Sequence, residues 1–243
     1  MSDILKKRIL SLLLAGILTL SLAACGNTDS TSGTEDVSKT SEQGGEIQPN
    51  TSATGESGST ELDGNNILIA YFTAAENSGV DAIASASYTT IDGQAVGRVR
   101  AVADMIQENV GGDLFSIRTS VVYPTDGGEL IDYAAQEQDE NARPELTSHI
   151  ENLDQYDTIF IGYPNWWADL PMAVYSFFDE YDFSGKTIIP FNVHNGSRFS
   201  RTIQTIEELE PDATVIEDGF TVSEQTVAEA APDVADWLAG LGY

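Results

Sequence analysis

The stretch Asp157-Thr-Ile-Phe-Ile-Gly-Tyr-Pro-Asn-Trp-Trp167 decides the fold. Asp157 to Tyr163 is an apolar run bounded by polar residues, long enough for one strand and too short for a helix. Ile159, Phe160 and Ile161 leave no polar side for water. That marks a strand covered on both faces, as in a parallel sheet. Gly162 closes the run, and Pro164 is expected to end the ladder because it has no N–H to give. Trp166 and Trp167 follow at once, before a helical pattern begins near Leu170. The chain therefore sets two large aromatics on a loop at the carboxyl end of a buried strand, the edge where open α/β sheets bind ligands. The plainer reading is that the indoles plug the end of the core. Adjacent residues point different ways, so at most one of them is easily pure core.

Strands and helices alternate on both sides of this stretch. Asn66 to Tyr71 is a short apolar run, read as the first strand. Val96, Val99, Ala103, Ile106 and Val110 recur at steps of three and four, one face of an amphipathic helix. Gly111-Gly112 stops it. Asp113 to Arg118 gives a second strand, and Gly128 to Asn141 reads as a helix ending before Pro144. After the third strand come a helix over Pro171–Tyr181 and a fourth strand, Lys186 to Val193. Pro190 interrupts that strand and needs a bulge or a position that makes no ladder bond. Ile203, Ile206 and Leu209 mark a helix that ends at Pro211. Thr214 to Glu217 is a short fifth strand, with Gly219 to Val222 as a candidate extension, and Val227 to Leu241 closes with a helix. The pattern predicts an α/β domain: a three-layer, doubly wound, five-stranded parallel sheet with right-handed crossovers and helices on both faces.

The resemblance to a family lies in particular blocks. Tyr71-Phe-Thr, Asp113-Leu-Phe-Ser-Ile, Arg143-Pro-Glu, Gly162-Tyr-Pro-Asn-Trp-Trp and Tyr181-Asp-Phe-Ser-Gly-Lys-Thr-Ile-Ile-Pro-Phe resemble a bacterial family of flavodoxin-like domains. The match runs from about Ile67 to Tyr243. It implies the flavodoxin fold, with strand order 2-1-3-4-5. It also implies FMN at the loops after the first, third and fourth strands, and electron or hydride transfer.

FMN presents a phosphate dianion, a polar chain and a flat ring. A phosphate wants backbone N–H groups and hydroxyls at a helix N-terminus. In flavodoxins a Thr/Ser-rich loop after the first strand supplies them. This chain departs from that pattern. Thr73 is in place, but Ala74-Ala75-Glu76-Asn77 follows, then an insertion from Ser78 to about Ile91. The first helix is expected to open at Asp92-Gly93-Gln94-Ala95 with Asp92 as its N-cap. A carboxylate there would compete for the donors a phosphate needs, and Glu76 is ill suited beside one. Either the insertion brings Asn77, Ser87, Thr89 or Thr90 back to Thr73 and the helix start at Gly93, Gln94 and Ala95 and rebuilds a cradle, or the phosphate site is lost. At the ring end, Pro164, Asn165, Trp166 and Trp167 would supply a stacking face, with Trp166 the chosen ring. Asn195-Gly196 favours a tight turn whose amides approach the pyrimidine edge. His194 would either cover the ring or bond the turn's backbone.

The amino terminus reads as a processing segment. Lys6, Lys7 and Arg8 precede an apolar stretch, Ile9 to Leu22, shorter than the ~20 residues of a membrane-spanning helix. Leu22-Ala23-Ala24-Cys25-Gly26 resembles a bacterial lipobox, which implies cleavage before Cys25 and its lipidation. Residues 1–24 are thus expected to be a signal peptide and 25–64 a lipidated, flexible Ser/Thr/Gly-rich tether. Residues 65–243 are expected to be the folded domain, extracytoplasmic and bound to the membrane through the lipid alone. Cys25 is the only cysteine, so no disulfide and no cysteine metal site is available. With 39 Asp+Glu against 11 Lys+Arg the net charge is -28. Losing the signal makes it more negative still. That balance argues against nucleic acid and against electrostatic adhesion to anionic lipid. Two histidines and no Ser-His-Asp pattern leave no rival to flavin chemistry and no catalytic residue to name. The sequence therefore points to an FMN-binding protein that carries electrons, or an FMN-dependent oxidoreductase acting on a quinone-type acceptor, with its redox partner unspecified. The rival is a flavin-free module binding another small ligand in the same cleft.

Overall fold

The computed structural model describes residues 66–77 and 87–243. The signal segment, Cys25, the tether and residues 78–86 of the insertion lie outside the described residues.

Six parallel strands form the main sheet. Strand β1 (Ile67–Tyr71) lies between β4 (Asp113–Ser116) and β5 (Thr158–Pro164); β5 pairs β6 (Thr187–His194). Beyond β6 lie two short strands end to end, β7 (Thr214–Val215) and β8 (Phe220–Ser223). Counted by position, the order is the expected 2-1-3-4-5. The fifth position is shared by two strands, so the sheet has six rather than five. The split accommodates Pro190. β7 pairs residues 187–188 and β8 pairs residues 191–194, so Pro190 falls in the gap.

Side chains alternate across the sheet, and each face has its own core. Ile67, Ile69, Tyr71 and Phe160 pack under α1 (Arg98–Val110) and α5 (Ala231–Leu241). Leu68, Ala70, Ile159 and Ile161 pack under α2 (Gly127–Asp139), α3 (Met172–Glu180) and α4 (Thr202–Leu209). Ile69, Phe160 and Ile161 are fully buried, each contributing roughly 1.5–3 kcal/mol over exposure. The helix boundaries follow local chemistry. Asp126 caps α2 by accepting from the backbone of Gly128 and Glu129 at 2.9 and 3.0 Å. Gly111, at φ 70°, turns the chain out of α1.

Two expectations are corrected. β5 does not stop before Pro164; it runs through it, paired with Val193, and Asn165 N–H still reaches the Val193 carbonyl at 2.9 Å. Asn165 faces β6, so Pro164 faces the β1 side, where β1 has already ended and no donor is required. The second correction concerns the start of α1. Residues 92–93 do not open a helix. They are the turn of a hairpin between β2 (Tyr88–Ile91) and β3 (Gln94–Gly97). Asp92 and Gly93 both have positive φ, 49° and 78°, as a two-residue type I′ turn demands. The helix begins at Arg98 after Gly97, so Asp92 caps nothing.

Candidate functional site

The carboxyl ends of β5 and β6 open onto a cleft of about 520 Å³. One wall is the loop after β5, from Pro164 to Ala168. The other is formed by His194, Asn195 and Ser197 of the loop after β6, with Val193 and Glu224; Gly196 does not line the cleft. The start of α2 supplies Gly127, Leu130, Ile131 and Ala134. The volume is within the range of small-molecule sites, and the lining is mostly apolar with a few convergent polar groups.

The two indoles have different duties. Trp166 is half-buried and packs edge-on against Phe72 at 5.5 Å and tilted against Tyr123 at 5.7 Å. Trp167 is 55% exposed, and its Nε1–H donates to the Ile131 carbonyl of α2 at 3.0 Å. The first is mainly a wall of the core. The second stands largely exposed, and both indoles line the cleft. The backbone at Trp167 is strained. Trp167 and Ala168 have φ of 51° and 65°, and Arg198 and Ser200 on the facing loop have 54° and 50°. These are four of the six non-glycine residues with positive φ among the described residues, so strain concentrates around the cleft. Asp169 holds the first loop. Its backbone exchanges hydrogen bonds with Trp166, and its buried carboxylate accepts from Leu170 N–H, Thr205 Oγ1 and Tyr175 Oη.

The second loop is pinned through the Arg198 carbonyl, which accepts from the Asn165 and Asn192 side-chain amides. Gly196 N–H donates to His194 Nδ1 at 2.9 Å, so the neutral ring carries its proton on Nε2. Burial, then the charge of Arg198, lowers the His194 pKa, with Glu224 opposing. The reading of His194 as a turn residue is what the geometry shows, and the residue also lines the cleft.

The end near β1 is built differently. Thr73 is buried after β1, and Ala74–Glu76 forms one 3₁₀ turn. Asn77, expected to help hold a phosphate, is spent on the fold. Its amide donates to the Thr73 and Ile117 carbonyls and accepts from Thr119 N–H. Gly93, Gln94 and Ala95 sit exposed in the β2–β3 hairpin, and none of them lines the cleft. The reason for choosing them, a helix N-terminus, lies instead at Gly97–Arg98. A Cβ on Gly97 would come within 2.8 Å of Thr73 Oγ1, so α1 enters tight against the end of β1. The void between Thr73, Ser87, Arg98 and Trp166 is only about 10 Å³, room for one water. Glu76 turns away from it toward β4. There its carboxylate meets Tyr71 Oη, Ser116 Oγ and the guanidinium groups of Arg100 and Arg118.

Sequence reasoning missed Arg98. Its Nη1 pairs with Glu224 Oε2 at 2.9 Å, with side chains 14% and 19% exposed. Burial lowers the Arg98 pKa, and Glu224 opposes that fall. Only two buried side-chain polar atoms among the described residues lack a partner: Arg98 Nε and Asn165 Oδ1. Asn165 lines the cleft, and Arg98 lines the void that shares Pro164, Trp166 and Val193 with it. One is a donor and the other an acceptor. Two unpaired buried groups are costly. No cluster able to hold a metal occurs among the described residues.

A doubly wound parallel sheet with its cleft at the carboxyl edge defines the class of flavodoxin-fold proteins. The family model described as flavodoxin matches residues 88–240, and the chain belongs to that family. Solved structures agree. A structure designated a flavoprotein from Bacteroides uniformis is 26% identical over 73% of this chain and 99% of that one, with TM-score 0.55. Another from Bacteroides eggerthii is 25% identical over 73% and 98%, with TM-score 0.54. A flavoprotein in complex with FMN from Lactobacillus acidophilus is a more distant likeness, 16% identical over 68% and 97%, with TM-score 0.48. No curated protein matches.

Proposed function

We propose that this flavodoxin-family protein binds FMN in the cleft and passes electrons to a small acceptor of quinone type or to a protein partner. The observation that carries the reading is the mostly apolar cleft at the carboxyl ends of β5 and β6, with Trp167 55% exposed in its lining, in a chain of the flavodoxin family. That end offers room and an aromatic face for a flat heterocycle. The tail end does not fit a phosphate as it stands, since the void beside Thr73 is about 10 Å³.

When bound, the flavin supplies the redox chemistry; the chain supplies place and environment. Trp167 offers a rigid apolar face, fixed by its bond to Ile131. Asn165 orients the ring edge, and His194 offers Nε2–H as a neutral donor at the opposite loop. Leu130, Ala134 and Trp166 keep water from that side. The surrounding negative charge disfavours an added negative charge and lowers the potential.

We also propose that Cys25 carries a lipid that holds the domain outside the cytoplasm. The reading rests on Lys6–Arg8, the apolar stretch and Leu22-Ala23-Ala24-Cys25. No helix among the described residues is long and apolar enough to cross a membrane. Cys25→Ser should move the protein from the membrane fraction to the soluble one; unchanged membrane retention would remove the lipid anchor.

The second reading, a flavin-free module, is favoured by the small void beside Thr73. One experiment separates them. FMN is added to the purified full chain, which is then passed over a sizing column. Flavin absorbance travelling with the protein, with quenched fluorescence, supports the first. Absence of both at micromolar protein supports the second.

A further inference from the structure

We propose that Asp169 is a positioning residue for the flavin: its buried carboxylate locks the turn that sets the Trp167 indole in the cleft lining. The inference rests on the flavin reading and names the group that holds the aromatic face in place.

The turn is unusual for its residues. Trp166 and Asp169 exchange backbone hydrogen bonds at 3.0 and 3.1 Å. Between them Trp167 and Ala168 both have positive φ, 51° and 65°, the pattern of a primed two-residue turn. Such turns normally carry Asn-Gly, because a side chain at positive φ is strained. A connection that merely joined β5 to α3 would use those residues. Here the chain puts its bulkiest side chain at the first central position, and the result is an indole in the cleft lining. Strain of this kind persists only where the surroundings over-determine it.

Asp169 supplies that constraint. It is 6% exposed, and its carboxylate gathers donors from three elements. Oδ1 accepts from the Leu170 N–H at 2.9 Å and from Thr205 Oγ1 of α4 at 2.8 Å. Oδ2 accepts from Tyr175 Oη of α3 at 3.2 Å and meets Arg201 Nε at 3.3 Å. The carboxylate is not there to start α3, which has no side-chain cap. Each oxygen faces one group that can only donate, the Leu170 N–H or the Arg201 guanidinium. An asparagine would turn an NH₂ toward one of them in either orientation, so the lock needs the carboxylate. The indole is then fixed twice, by its backbone through Asp169 and by its Nε1–H on the Ile131 carbonyl.

The test uses the full chain and two readouts. The first needs no flavin: exchange of the Trp167 Nε1–H with water, followed by NMR and assigned by its loss in Trp167→Ala. Asp169→Asn should speed it several-fold. The second is FMN affinity, followed by flavin fluorescence. Asp169→Asn should weaken FMN about fivefold, the worth of one net hydrogen bond. Adding Ala168→Gly, which takes positive φ without strain, should restore most of that loss. In a Trp167→Ala background Asp169→Asn should have no further effect, because it acts through the indole. Thr205→Val removes one donor, and should move both readouts the same way by a smaller factor if Asp169→Asn fails to fold. Unchanged exchange in these variants would overturn the lock. An equal loss of FMN affinity with and without the Trp167 indole, or no rescue by Ala168→Gly, would overturn the positioning role while leaving the flavin site intact. Failure of the wild type to bind FMN would overturn the flavin reading itself, and the exchange measurement would still decide the lock.

Discussion

The two ends of the site are built on opposite principles. At the β5/β6 end the chain leaves an open apolar cleft and strains its own backbone to line it. At the β1 end it closes the space around Thr73 and leaves a charge pair where a phosphate loop would be. One end is thus open and apolar, the other packed and charged. Substitutions at one end should accordingly behave differently from matched ones at the other.

The largest difference is in packing. A Cβ on Gly162 in β5 would lie 2.2 Å from the ring of Phe191, which is fully buried. Gly162→Ala should cost about 3 kcal/mol, the upper range for overpacking a rigid core. Gly97→Ala meets the Thr73 side chain at 2.8 Å and Ala75 Cβ at 3.4 Å and should cost about 1 kcal/mol. Urea denaturation of both would show it; equal costs would mean that the two ends are equally rigid.

The tryptophans come next. Trp166→Ala removes a ring packed on Phe72 and Tyr123 and should cost about 2–3 kcal/mol of stability, somewhat below a fully buried tryptophan. Trp167→Ala should leave stability within about 0.5 kcal/mol and weaken FMN about tenfold through lost stacking. If Trp166→Ala proves the milder of the two for folding, the division of labour is reversed.

Glu137 gives the ring end a pH dependence. It is buried behind the cleft wall, its carboxylate 3.3 Å from the hydroxyl of Tyr123, which packs on Trp166. Burial pushes its pKa from 4.5 up to about 7; the Tyr123 hydrogen bond opposes the rise and Glu140 adds to it. A raised folded-state pKa means that the fold favours the protonated form. The associated stability is full below about 4.5 and is lost as pH rises through about 7. Glu137→Gln should flatten thermal stability across that window and gain about 2 kcal/mol above it. A wild-type curve already flat there would refute the assignment.

The smallest effect belongs to the hairpin. Asp92 sits at φ 49°, so Asp92→Ala should cost less than about 1 kcal/mol and leave FMN affinity untouched. A change in FMN affinity would return the hairpin to the site.

Much of this was legible in the sequence because burial writes itself into pattern. Ile159-Phe160-Ile161 announced a doubly covered strand, and the alternation around it gave the order of the sheet. Asn165, both tryptophans, His194 and Asn195 were found because strand ends in a parallel sheet share an edge. The rest was hidden for specific reasons. Asp92-Gly93 is a strong hairpin signal between Tyr88-Thr-Thr-Ile91 and Gln94-Ala-Val96, but an aspartate before a helical pattern also reads as an N-cap. The Arg98–Glu224 pair spans 126 positions and exists only because α1 starts beside the end of β8. Which indole faces outward depends on the positive φ of Trp167, and a side chain does not advertise that in advance.

The most direct test is a crystal structure of the full chain with FMN bound. The account predicts the ring in the cleft at the carboxyl ends of β5 and β6, against Trp167. A ring lodged elsewhere would contradict it.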